Sequence, residues 1–259
     1  MEQYENPLKT DGFAFVEFVT NDAVTVEKYM TGLGFIKAGN GKNHAISLFE
    51  QNQIKFFVNL CSDKATTDFF AKHKTSPCSM GFYVEDPEFA LKEAVKRGAA
   101  AISGNHDSVW AGIPAIAGIG GSVIYFVSRK NEFLNRFDRQ PVDTSGFGLD
   151  YIDHLTHNVY RGNMVTWADF YTKIFGFRQI RYFDIDGKLS GLQSKAMVSP
   201  CGKIKIPLIE WISGKVSLRV QQLNVKIDTK TRDNVIVQIQ VSVQFRIKSD
   251  TVYEAFYKL

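Results

Sequence analysis

A strand–helix–three-strand pattern recurs three times before residue 210, and this recurrence limits the fold more than any other feature of the chain. In the first round, residues 12–19 form a mostly apolar strand and Asn21-Asp22 offers a helix N-cap. Ala23, Val26, Tyr29, Met30 and Leu33 then recur at helical spacing, and strand-like pieces follow at 34–38, 45–50 and 54–60. A second round runs from the strand 79–84 through a helix opened by Asp86-Pro87 and closed by Arg97-Gly98. Its strands are 99–102, 112–117 and 122–127. The polar stretch 128–143 reads as a linker punctuated by Pro141. The third round has a strand at 149–159, a helix at 163–175 ended by Gly176, and strands at 179–185, 191–197 and 203–208. A repeated supersecondary unit cannot bury its apolar face alone, so neighbours must pair around a shared core. Curved mixed sheets built from pairs of units are therefore expected, and the third unit, with no fourth partner of its kind, exposes a sheet edge.

From Gly214 onward the signal changes to strict alternation. Val216, Leu218 and Val220 share one parity, while Leu223, Val225, Ile227 and Thr229 share the other, which predicts a β-bulge at Gln221-Gln222. A turn at 231–234 and the alternation from Val235 to Ile247 complete a long half-buried hairpin. Ser249 or Asp250 then caps a short helix. Composition shifts at the same place: 19 of 20 glycines and all 7 prolines precede Trp211. The net charge of +4 also falls entirely in the last 49 residues. Two pieces of different ancestry meet near that point. The expected domains are 1–140, a non-catalytic pair of units; 141–210, an incomplete catalytic unit; and 211–259, the hairpin fragment.

So small a net charge implies no nucleic-acid partner. No apolar run approaches the ~18–20 residues of a membrane-spanning helix, and the acidic, polar N-terminus is not a secretory signal. Cys61, Cys78 and Cys201 are odd in number and far apart, as expected of buried, reduced thiols in a cytoplasmic protein. Homo-oligomerisation is left open. Gly118-Ile119-Gly120-Gly121 precedes a strand and lacks the Lys-Ser/Thr of a phosphate loop, so it reads as a turn. His154 and His157 point to opposite faces of a straight strand and do not readily chelate one ion. Spacing alone favours a packed or hydrogen-bonded histidine over a metal ligand at 154.

The phrase from Ile152-Asp153-His154-Leu155-Thr156-His157 to Gly162-Asn163-Met164 resembles the signature of bacterial 4-hydroxyphenylpyruvate dioxygenases. Ile174-Phe175-Gly176-Phe177, Gly191-Leu192-Gln193-Ser194-Lys195 and Ser199-Pro200-Cys201-Gly202-Lys203 agree with it, as do Asp11-Gly12-Phe13 and Gly120-Gly121-Ser122 in the first half. The resemblance covers about residues 8–209. It implies an α+β fold of the vicinal-oxygen-chelate type, with three of four βαβββ modules present. The implied chemistry uses Fe(II) held by two His and one Glu, with positions left for a 2-oxoacid and O2. The oxoacid carboxylate leaves as CO2 and the product is homogentisate. By resemblance His154 is the first iron ligand, which reverses the reading from spacing, and Ser194 is a hydroxyl lining the substrate pocket. The matching strand position in the first unit is Glu17, so the N-terminal half is expected to be non-catalytic.

The departures matter as much. In the family the second His and the Glu come from the fourth module, whose pattern does not follow residue 210 here. Ile209 also stands where the family has an Asn near the substrate. From 214 to 259 the chain instead resembles the opening hairpin of stomatin/prohibitin-like (SPFH, band 7) proteins, close to the hypersensitive-induced-reaction type. Weak or absent dioxygenase activity follows as the expectation, with a non-catalytic fusion or interaction protein as the alternative.

Overall fold

The first repeat folds as its pattern predicts in the computed structural model, which describes residues 4–43, 45–102, 108–186, 191–211, 221–230 and 236–245. β1 (Thr10–Val19) leads into α1 (Ala23–Gly32), β2 (Ile36–Gly41), β3 (Ile46–Gln51) and β4 (Ile54–Asn59). Asp22 caps α1 by accepting the Thr25 N–H, one of the donors that a helix start leaves open. The periodicity gave no sign of α2 (Lys64–His73), which comes next. Its only marker is Asp63 and Thr66, which cap each other reciprocally. The helix is mostly exposed and presents no apolar stripe for a pattern to reveal.

The second repeat contains β5 (Ser76–Val84), α3 (Pro87–Lys96), β6 (Ala115–Ala117) and β7 (Val123–Val127). The strand expected at 99–102 shrinks to a single bridge between Ala101 and Ile116. Its exposed alanines have no branched side chains to pack on a neighbour. The expected linker is also partly structured: a 3₁₀ turn at Glu132–Arg136 precedes β8 (Phe137–Arg139), which pairs antiparallel with β2. Phe133, Leu134 and Phe137 anchor it by burial, three apolar residues that outweigh their polar neighbours.

These strands form one sheet in the order β6-β7-β5-β1-β4-β3-β2-β8. β1 is its centre, parallel to β4 and antiparallel to β5, so the first two repeats join along β1–β5. Phe15, Phe57, Trp110, Tyr125, Phe133 and Phe137 belong to one core cluster, where the Phe15 and Trp110 rings stack at 4.6 Å. A second cluster gathers Val26 and Met30 of α1 with Phe35, Phe49 and Val58.

The third repeat comprises β9 (His157–Val159), α4 (Met164–Phe175), β10 (Arg178–Asp186), β11 (Gly191–Val198) and β12 (Lys205–Trp211), in the sheet order β10-β11-β12-β9. The strand expected to begin at 149 begins only at His157. The cause is pairing: β1 is held on both sides, whereas β9 is an edge strand with β12 as its one neighbour. α3 and α4 share a core in which Ala90 and Ala94 join Ala168, Tyr171, Ile174 and Phe175. Gly176 ends α4 in the left-handed region at φ +70°, where a Cβ would meet the Glu5 carbonyl at 2.9 Å.

β13 (Gln221–Lys230) and β14 (Ile236–Phe245) pair antiparallel in unbroken register from Gln221↔Phe245 to Lys230↔Ile236. The bulge expected at 221–222 is therefore not found, since both glutamines already sit in the ladder; the run at 216–220 lies outside the described residues. The helix expected from 249 also lies outside them. Residues 1–183 with 194–210 make one compact unit, and residues 184–193 with 211–259 make a second. Among the described residues no helix is long and apolar enough to cross a membrane.

Candidate functional site

His154 sits just before β9, the edge strand of its sheet, and its side chain is half exposed. Its Nδ1 lies 2.8 Å from Asp153 Oδ2, and Asp153 Oδ1 accepts a hydrogen bond from Lys205 Nζ at 2.6 Å. The Lys205 ammonium first, and then the His154 ring, hold the Asp153 carboxyl below the usual carboxylate range. A carboxylate on Nδ1 fixes the ring and directs the Nε2 lone pair outward, the arrangement that orients metal-ligating imidazoles. Asp153 is thereby committed to Lys205 and to the ring it orients.

His157, three residues on, does different work. Its Nδ1 lies 3.2 Å from the Tyr171 hydroxyl, at the level where His157 pairs with Leu208 of β12. Burial pushes its imidazole down to about 4 and the Tyr171 phenol up, so both are neutral at physiological pH. His157 ties β9 to α4, whereas His154, which precedes the strand, is engaged by Asp153.

Ser194 lies on β11, two strands from β9 in the sheet order, and is buried at 7% exposure. Its neighbour in the α4-packed core is Met197, so alternation places Ser194 on the other face of the sheet. Ile209, half-buried on β12, pairs with Asn158 of β9.

Glu210, a residue to which the sequence reading gave no role, fastens this region together. It is buried at the end of β12, and its two carboxylate oxygens accept the backbone N–H of Gly162 at 2.8 Å and of Met164 at 3.2 Å. The N-cap residue of α4, Asn163, makes no capping bond with its own side chain. Glu210 supplies that cap from a strand nearly fifty residues away in sequence, which is why no local capping motif announced it.

In the first repeat Glu17 is fully buried, accepting from Asn59 Nδ2 at 2.8 Å and from Ser79 Oγ at 2.6 Å. Burial pushes its carboxyl up, against the pull of these two hydrogen bonds. The thiols are unpaired, and Cys78 is buried with its acidity suppressed by burial. Cys61 and Cys201 are only half-buried, a departure from the expectation that all three are buried. His73 Nε2 lies 2.9 Å from the Gly120 carbonyl and is structural. Among the described residues no three His, Cys, Asp or Glu side chains converge as a metal site.

The comparisons with known proteins divide the chain. Residues 4–142 match the model of the family described as hydroxyphenylpyruvate dioxygenase, HPPD, N-terminal. Residues 177–259 match the SPFH domain / Band 7 family, a match that starts well ahead of the 214 expected and includes β10–β12. The 4-hydroxyphenylpyruvate dioxygenase of Legionella pneumophila subsp. pneumophila is 45% identical over 214 residues, which is 80% of this chain and 60% of that protein. Hypersensitive-induced response protein 4 of Arabidopsis thaliana is 46% identical over 50 residues, 19% of this chain and 17% of that one. Among solved structures, a xylose isomerase-like TIM barrel/4-hydroxyphenylpyruvate dioxygenase fusion protein superposes with a TM-score of 0.67 at 26% identity, covering 80% of this chain and 33% of that one. The chain spans about 60% of the length of the dioxygenase relatives it matches. The paired modules joined along β1–β5 are the part that the first family model describes, over more than half of the sequence. This chain belongs to the hydroxyphenylpyruvate dioxygenase N-terminal family.

Proposed function

We propose that this protein carries the scaffold of a 4-hydroxyphenylpyruvate dioxygenase with one iron-ligand position, His154, and that residues 1–259 alone convert 4-hydroxyphenylpyruvate and O2 to homogentisate and CO2 weakly or not at all. The observation that carries this reading is the His154–Asp153–Lys205 chain, in which a carboxylate orients one imidazole outward with no second ligand beside it among the described residues. Fe(II) in this chemistry needs two imidazoles and a carboxylate on one face of the ion. Among the described residues the side chains near His154 do not meet that requirement: His157 is turned to Tyr171, and Asp153 is engaged by Lys205 and by the His154 ring itself.

In this reading residues 1–140 are a non-catalytic module pair, with Glu17 a buried, hydrogen-bonded acid in place of a metal ligand. Residues 141–210 are the first catalytic module, in which Ser194 lines the 2-oxoacid pocket, and residues 211–259 are an SPFH-like hairpin. The protein is placed in the cytoplasm. The band 7 match and the ten-residue strands of the hairpin support a second reading, a non-catalytic interaction protein whose tail pairs with SPFH partners.

Anaerobic calorimetric titration of the whole chain with Fe(II) tests the proposal. Weak, non-stoichiometric binding that His154→Ala removes is expected. Tight one-to-one binding, or binding untouched by His154→Ala, would overturn the assignment.

A further inference from the structure

We infer that the N-terminal half carries a binding site for a small polyanion, centred on the Lys55 ammonium. Lys55 lies on β4 directly opposite Glu50 of β3, a cross-strand position where an ion pair normally forms. Here the carboxylate is taken: Glu50 accepts from Arg139 at 2.8 Å across the sheet. Lys55 is 9% exposed, and among the described residues no carboxylate lies within ion-pair distance of it. An ammonium on a flexible four-carbon stem normally extends to water when it lacks a partner. Burying one whose cross-strand carboxylate is already engaged by an arginine costs free energy that Glu50 offsets only in part. Burial, opposed by Glu50 and reinforced by Arg139 and Arg129, pushes Lys55 below the usual lysine range.

Lys55 is a shared wall, with Asn131, of two cavities of about 600 and 790 Å³. In the smaller one each of the other cations has a carboxylate partner, Arg129 and Lys203 sharing Asp11 and Lys205 taking Asp153. The larger one is not balanced. Lys42, Lys130 and Arg139 join Lys55 around it, and Glu50 is its one carboxylate. Lys42 and Lys130, like Lys55, have no carboxylate partner among the described residues. Four positive groups against one negative leave a local excess of three, which a ligand of a single charge does not satisfy. The volume falls in the range of small-molecule sites. The structure therefore points to a compact species of two or more negative charges, either phosphate-type or polycarboxylate, seated on Lys55 and ringed by Lys42, Lys130 and Arg139.

Calorimetry on the full chain at constant ionic strength tests this with inorganic pyrophosphate, citrate and acetate as probes. Saturable binding of pyrophosphate, citrate or both is expected, the stronger of the two naming the ligand class, with none for acetate. Lys55→Met should weaken it about tenfold or more. The double variant Lys42→Met/Lys130→Met changes only exposed side chains and keeps the test valid if Lys55→Met fails to fold; the same loss is expected of it. No saturable binding of either polyanion, binding unchanged in the double variant, or acetate binding as well as pyrophosphate would each overturn the inference.

Discussion

Replacing Glu210 by Ala removes both acceptors from the start of α4 and leaves the Gly162 N–H, which is partly buried, and the Met164 N–H, which is buried, without that partner. A hydrogen bond to a charged group contributes about 1.5–3 kcal/mol, and loss of an N-cap costs about 1 kcal/mol, at most about 2. The two bonds share one carboxylate, so the contributions are not independent, and a loss of about 2–4 kcal/mol is expected. In a unit of this size each kcal/mol lowers Tm by about 2–4 °C, which gives a drop of about 5–15 °C for Glu210→Ala. Glu210→Gln keeps one oxygen acceptor and loses the charge, and should fall about midway. Asn163→Ala, at the formal N-cap position, should change stability by less than about 0.5 kcal/mol, because its side chain makes no cap. Thermal and urea denaturation followed by circular dichroism measure all three. Glu210→Ala within about 0.5 kcal/mol of the parent, or Asn163→Ala the more damaging of the two, would refute the reasoning.

Other consequences follow from buried groups. A Cβ on Gly81 would come within 2.3 Å of the Phe15 ring, which Trp110 holds by stacking, so Gly81→Ala should cost about 2 kcal/mol or more in urea denaturation; a neutral result would mean that the ring can move. His157 has a folded pKa of about 4, below its unfolded value, so its contribution to stability is complete above about pH 6.5 and declines as pH falls toward 4. Comparing urea stability of the parent and His157→Phe across that window should show the extra slope only in the parent, worth at most about 3 kcal/mol. Glu17, raised by burial, acts in the opposite sense: its protonated form is favoured in the fold, and stability is lost as pH rises through its folded pKa. Glu17→Gln should therefore match or exceed the parent in stability at about pH 8, and a loss there would show that the ionised carboxylate is what Asn59 and Ser79 hold.

The repeats were legible because each depends on an apolar period and a cap close in sequence. Asp22 before α1, Asp86-Pro87 before α3 and Gly176 after α4 are local signals, and all three elements form where those signals place them. What escaped the sequence depends on distant partners. α2 buries little, β8 rests on three anchors within a polar stretch, and β9 is an edge strand that pairs with β12 alone among the described residues. The His154–Asp153–Lys205 chain spans 52 residues and the Glu210 cap 48, so no spacing motif contains either. The assignment of His154 came from resemblance; its spacing argued for a structural histidine, and the structure gives that structural role to His157.

The most direct test of the account is homogentisate formation by the purified whole chain, supplied with 4-hydroxyphenylpyruvate, O2, Fe(II) and ascorbate and followed by liquid chromatography. With a single imidazole and no completing ligand among the described residues, product should not exceed the trace given by His154→Ala under the same conditions. Sustained turnover that His154→Ala abolishes would contradict the claim that this chain does not complete an iron site by itself.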